Sequence, residues 1–240
     1  LNVWLIARRD LGATLHGYTG WVLIAAILFL TGVFFQVFAL GQGAQYSHEV
    51  LAAYFEVAGY IFNTAAVLVT MRSFAEERQL GTEQLLASSP VGSHEIVLGK
   101  YLAASVFLVG TSLLTLYLPA LIFVNGKVSP GHIAAGYVGL AAMSTSIASV
   151  GVFMSSVFRT QVAAAITTGI AIGVLVIAWM LSDLTAPPFT DVLAYAALWD
   201  KHYTSFIEGT LRSRDLVFYA SLTGVSLFGA TRVLEGRRWQ

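Results

Sequence analysis

The chain has 240 residues, 57% of them hydrophobic and only 11% charged, with a mean hydropathy of +0.74. Soluble domains carry about 25% charged residues, so this chain lacks the polar coat of a wettable surface and is expected in a lipid bilayer. Its 13 basic residues balance 13 acidic ones, which gives no global pull toward nucleic acid, and the lack of Cys excludes disulfides, thiolate metal sites and Cys nucleophiles.

Residues 1–19 are predicted to form an interfacial elbow helix. Val3, Ala7, Leu11, Leu15 and Tyr18 recur on one face, with Arg8, Arg9 and Asp10 mostly off it. The chain opens at Leu1, so an initiator Met or short leader is expected before it. No cleavable signal is expected, because the first apolar run is too long for a signal-peptide core. A helix rising 1.5 Å per residue crosses a core about 30 Å thick in roughly 20 residues. Runs at about 21–40, 51–71, 101–124, 133–158, 162–181 and 216–233 meet or approach that length. They lack the alternation of barrel strands, and an open sheet would leave backbone groups unpaired in lipid. The predicted fold is therefore an all-α integral membrane protein, one transmembrane domain over 1–240 with six spans.

Inside the spans, Glu56 is a carboxylate about two turns below the outer end of span two, and Asn63 lies at mid-span. Ionisable groups at depth are functional candidates, so Glu56 is a candidate for a pathway or gate, with a structural role competing. Asn63 is a candidate beside it, expected to hydrogen-bond a neighbouring helix, with packing as its default role. Gly169-Ile-Ala-Ile-Gly173 places small residues four apart in span five, a pattern that lets helices approach closely. Packing within the subunit is the default expectation, and a dimer contact is the alternative. Between spans five and six, Pro187-Pro188 stops the helix, and Trp199, Tyr203 and Phe206 suit the headgroup layer, so short helices lying on or dipping into the outer leaflet are expected there. His48, His132 and His202 fall on separate outer loops without ligand spacing, so no metal site is assigned.

Basic residues set the orientation. With a cytoplasmic N-terminus, six spans return the C-terminus to the same side. That side then holds Arg8, Arg9, Arg72, Arg78, Lys100, Arg159, Arg232, Arg237 and Arg238, against Lys127, Lys201, Arg212 and Arg214 outside.

The stretch from Arg72 to Lys100 concentrates charge in an otherwise apolar chain, at about 2.5–3.5 kcal/mol per Asp, Lys or Arg if placed at a helix centre in lipid. It is expected in the cytoplasm or at its interface. Helix two runs on past the membrane and breaks near Gly81. Thr82 caps a short helix with Glu83 in its first turn, Leu85 and Leu86 give that helix an apolar edge, and Pro90 ends it. Ser93 caps the next helix, with Glu95 near its start. Gly99-Lys100 closes no phosphate loop, because His94 stands where the first Gly of that motif belongs and Tyr101 follows the Lys. Lys100 is expected to snorkel to the headgroups. Read from the residues alone, this projection is equally a solvated loop or a socket for another protein.

These residues resemble the membrane subunits of ABC type-2 transporters. The carrying pattern is Arg72-x-Phe74-Ala75-Glu76-Glu77-Arg78, Gly81-Thr82-Glu83, Leu85-Leu86, Ser89-Pro90 and Gly99-Lys100-Tyr101. Ala7-Arg8-Arg9-Asp10-Leu11 is similar to the family's elbow helix, with Asp10 where Glu is usual. Ser205-Phe206-x-x-Gly209 and Arg214-Asp215-Leu216 resemble its approach to the last span. The subgroup most resembled is the gliding-motility-associated and copper-accessory permeases of bacteria. The resemblance implies an export-type permease of the bacterial inner membrane, paired with a second copy or a related permease. It also implies two copies of an ATP-binding subunit that hold the ATP and Mg themselves, so that this chain has no cofactor and no catalytic residue. A periplasmic or membrane accessory protein is a further implied partner, besides membrane lipid. Coupling to the ATPase would fall to Arg72, Phe74, Glu76, Glu77, Arg78, Gly81, Thr82, Glu83, Leu85, Leu86 and Pro90. Two other readings compete, an integral membrane protease or other enzyme and a non-transporting scaffold. Glu76-Glu77 is similar to the paired glutamates of prenyl-endopeptidase-like membrane proteases. That chemistry needs Arg where Gly81 stands and His deep in later spans.

Overall fold

A computed structural model of the chain describes residues 2–40, 46–81, 91–125, 128–183 and 189–238. The described residues are helical throughout, apart from short turns, and contain no strand. Helix α1 (Asn2–His16) is followed by α2 (Tyr18–Phe34), which a π-helical turn, Phe35–Leu40, continues. Next come α3 (Ser47–Thr70), α4 (Ala75–Gln79), α5 (Ser93–Leu114), α6 (Tyr117–Asn125), α7 (Pro130–Val157) and α8 (Gln161–Asp183). The chain closes with α9 (Phe189–Ala196), a π-helical turn Leu198–Tyr203, α10 (Thr204–Ile207) and α11 (Ser213–Arg238). Among the described residues, six stretches are long and apolar enough to cross a membrane: Tyr18–Val37, Ser47–Gln79, Ser93–Ile122, Pro130–Val157, Gln161–Ser182 and Ser213–Arg237. The protein is an all-α, multi-pass membrane protein.

Three spans form the centre. Span four is 67% buried, spans two and three 56% and 50%, whereas spans one, five and six are only 28%, 22% and 22% buried. Small residues on α7 explain its place. A Cβ on Gly136 would overlap the Phe55 ring, one on Gly139 the Phe206 side chain, and one on Gly151 the Thr70 hydroxyl. Close backbone approach of this kind is how helices gain dispersion contacts where lipid offers no hydrophobic drive. Hydroxyls supply the polar ties. Tyr54 Oη lies 2.8 Å from both Thr115 Oγ1 and Tyr137 Oη, which joins spans two, three and four. Ser146 Oγ donates to the Tyr219 carbonyl at 2.9 Å and so joins spans four and six.

At the end of the bundle away from α1, the segment 189–212 folds back into the core. Trp199, Tyr203 and Phe206, expected at a headgroup layer, are instead buried. Gly59 and Gly139 leave the hollows they fill, and Tyr203 Oη donates to the Phe55 carbonyl at 2.8 Å. Burying large aromatic area, with the Tyr203 hydroxyl satisfied, holds the segment against the spans. His202 is likewise wholly buried, with Nδ1 2.8 Å from Asp215 Oδ1 and Nε2 3.0 Å from the Tyr195 carbonyl, while His132 donates to the Ile207 carbonyl at 2.6 Å.

Candidate functional site

The site forms at the other, basic end, where α1, α4 and the ends of spans two, three, four and six meet. Helix α3 stops at Thr70 instead of running through Arg78, and a turn over 71–74 leads into α4. Ser155 of span four imposes that break. Its Oγ accepts hydrogen bonds from the backbone N–H of Phe74 (3.0 Å) and Ala75 (3.1 Å) and donates to the Met71 carbonyl at 3.2 Å. The Phe74 ring is buried in a small core with Ile96, Val97, Val152, Ala230 and Leu234.

Arg78 then reaches the last turn of α7. Its guanidinium donates to the carbonyls of Phe158 and Ser156, both at 2.6 Å, and Arg237 donates to Val157 at 2.7 Å. The final carbonyls of a helix lack intrahelical donors and carry its negative pole, so two arginines from distant positions cap one helix end.

Lys100 is the largest departure from the sequence expectation. It does not snorkel; its side chain is 3% exposed, and Nζ lies 2.8 Å from Glu77 Oε1 and 3.2 Å from Asp10 Oδ2. Arg9 bonds the same two carboxylates, at 2.9 Å to Asp10 and 3.4 Å to Glu77. The ammonium also sits 5.0 Å from the centre of the Phe74 ring, within cation–π range. Burial favours pairing because removing an ammonium from water costs several kcal/mol unless carboxylates compensate it. The network joins α1, α4 and α5. Helix α1 seats against Gly99, where an added Cβ would meet Ile6 at 2.7 Å, and Asn2 donates to Glu95 at 3.1 Å. Gly92, not Ser93, is the N-cap of α5, and its N–H donates to Glu95 at 3.1 Å.

Beside this network lies a cavity of about 480 Å³, whose wall includes Arg9, Arg72, Glu76, Glu77 and Lys100 and whose apolar part is Ala13, Val69, Leu80, Ala103, Ala104 and Phe107. The Arg72 and Glu76 side chains line it without a hydrogen bond or ion pair among the described residues. Gly81 adopts φ +71°, a conformation L side chains rarely take, and so ends α4 as expected. Thr82, Glu83, Leu85, Leu86 and Pro90 lie outside the described residues.

The remaining candidates lie elsewhere. Glu56 is exposed on span two toward the far end, one turn from Tyr60, whose ring stacks on Trp199 at 4.1 Å. Asn63 is buried, but its Oδ1 has no hydrogen-bond partner, so the expected interhelical bond is not formed. A Cβ at Gly169 or Gly173 would meet nothing within 4 Å, so this pair does not pack within the subunit. Tyr18, placed on the elbow stripe by its spacing, begins α2 and is 92% exposed.

Residues 35–199 match the family described as ABC-2 family transporter protein. The chain belongs to the ABC-2 transporter family. The matched stretch holds spans two to five and the charged turn from Arg72 to Gly81, while α1 and span six lie beyond it. An ABC-2 protein is the membrane component of a transporter and not itself catalytic, and the family in general implies an ATP-binding partner and a dimeric arrangement. No individually curated protein matches the chain. Sequence reasoning placed Glu77 and Arg78 in the charged turn. It missed Ser155, Arg237 and the Asp10–Lys100 pair, because their partners lie about 80 or 90 residues away and no local pattern marks them.

Proposed function

We propose that this ABC-2 permease transmits the conformational work of a separate ATP-binding subunit through the surface formed by Arg72, Phe74, Glu76, Glu77, Arg78 and Gly81. The following Thr82, Glu83, Leu85, Leu86 and Pro90 extend that surface. One observation carries the reading. The charged turn is fastened to the ends of spans three and four by Lys100, Ser155 and Arg78, so a push on it reaches the spans directly, as a slack loop would not allow. On this reading the basic end is cytoplasmic, both termini lie inside, and the membrane is the bacterial inner membrane.

The ATPase, in two copies, holds ATP and Mg, and the permease performs no covalent chemistry and carries no cofactor. The chain acts as one permease domain over 1–240, in a dimer with a second copy or a related permease. The open Gly169–Gly173 face of span five is available for that contact. Glu56 and Asn63 are the candidate pathway or gating groups. Export is the proposed direction, and the gliding-motility-associated and copper-accessory permeases are the proposed subgroup, in which an accessory protein receives the motion or the cargo.

The test is co-purification with the ATP-binding subunit followed by ATP hydrolysis in reconstituted vesicles. Glu76→Lys changes a charge whose side chain bonds nothing among the described residues, so the permease should fold. Association or permease-dependent hydrolysis is expected to fall at least about fivefold, the loss of roughly 1 kcal/mol from one interfacial charge contact. Unchanged association together with unchanged hydrolysis would overturn the coupling assignment.

A further inference from the structure

We infer that the charged cavity beside α4 and an apolar groove between spans one and two together bind one phospholipid, with its phosphodiester on Arg72 and an amine of its headgroup on Glu76. The groove, about 220 Å³, is lined by Leu23, Ala26, Ile27 and Leu30 of span one and by Ile61, Ala65 and Leu68 of span two, with Tyr60 at its far end. The two adjoin on span two, where Leu68 lines the groove and the next residue, Val69, lines the cavity, with Arg72 and Glu76 following across the turn and in α4.

Three features favour a lipid. First, the wall is divided along the spans: on span two the apolar Val69 precedes Arg72 and Glu76, and on span three the apolar Ala103, Ala104 and Phe107 follow Lys100 into the span. Second, from Leu68 to Tyr60 the groove extends about 12 Å at 1.5 Å per residue, close to the ~15 Å half-thickness of a hydrocarbon core. The cavity at its mouth, about 480 Å³, lies within the ~300–1,000 Å³ typical of small-molecule sites. Third, Arg9 and Lys100 neutralise Asp10 and Glu77, which leaves the Arg72 and Glu76 side chains as a cation and an anion without partners among the described residues. That pair matches a zwitterionic headgroup whose ammonium keeps its N–H donors. An acidic side chain of the ATP-binding subunit would also suit Arg72, but it would have no use for the apolar floor.

The proposal uses the orientation given above only to name the leaflet, the cytoplasmic one. Its test contains no ATP-binding subunit, so it fails or succeeds apart from the coupling assignment. The full chain, stripped of lipid in detergent, is titrated with phosphatidylethanolamine, phosphatidylcholine, phosphatidylglycerol or inorganic phosphate, and bound molecules per chain are read by native mass spectrometry. One phosphatidylethanolamine is expected per chain, ahead of the other two lipids. Arg72→Gln should weaken it about tenfold or more, as loss of a charge-assisted hydrogen bond implies, with partial rescue by Arg72→Lys. Glu76→Gln should narrow the preference over phosphatidylcholine. Ala26→Trp, an exposed position on the groove wall, should block binding while thermal stability is kept. Equal retention by Arg72→Gln and Ala26→Trp would overturn the proposal. So would displacement of the lipid by inorganic phosphate alone, which would mark a free-anion site.

Discussion

Lys100 shows how far a single side chain's role depends on what surrounds it. In sequence it is a lysine at the mouth of a span, the usual setting for a cation that reaches headgroups. In the fold α1 covers it, and two carboxylates and an aromatic ring take the place of water. Breaking a buried pair by removing one partner costs about 3–5 kcal/mol. Asp10 and Glu77 keep about a fifth of their surface, so Lys100→Met is expected to cost about 2–3 kcal/mol, at or just below the lower limit of that range after discounting for solvent. A lowered melting temperature of the purified permease in detergent checks this. An unchanged melt would mean that the network orders nothing. Arg78 carries a similar lesson, since its charge, assigned to a surface, is spent on the open end of span four.

At the scale of elements, the turn between α3 and α4 is decided by span four. The sequence from Thr70 to Arg78 reads as continuous helix, and the helix would continue if nothing competed for its backbone groups. Ser155 competes by taking two N–H donors and giving one proton back. Ser155→Ala leaves those donors buried without a partner, at about 1–3 kcal/mol for an unsatisfied group. Faster amide hydrogen exchange is then expected over 71–79, with the centre of span four unaffected, and protection equal to the unaltered protein would show that the turn is held some other way. The segment 189–212 follows the same rule. Its aromatic residues match a headgroup layer by type, yet Gly59 on span two and Gly139 on span four open hollows that rings fill. Which glycine faces which ring is a tertiary fact and leaves no local trace.

For the whole molecule, the central question is which end faces the cytoplasm. The chain contains no Cys, so single introduced thiols report cleanly. Leu80→Cys at the basic end and Tyr46→Cys at the other stand at positions 70% and 74% exposed. In intact cells, a membrane-impermeant maleimide is expected to label Tyr46→Cys and to reach Leu80→Cys only after the membrane is opened. The reverse pattern would invert the topology and remove the ATPase from the charged turn. Spans one, five and six leave most of their surface outside the bundle, as expected where lipid and a second permease must both be met.

By itself the sequence determined the solvent, the helical class and the six crossings, because hydrocarbon forbids unpaired backbone and the crossing length is set by bilayer thickness. The charged stretch and its break at Gly81 were also legible, since charge cannot stay in lipid and a positive φ favours glycine. Tertiary structure alone decided the partners: Asp10 with Lys100, Arg78 and Arg237 on one helix end, and Trp199 and Phe206 in the core. Those choices depend on which surfaces meet across tens of residues, and helical periodicity says which way a side chain faces but not what it faces.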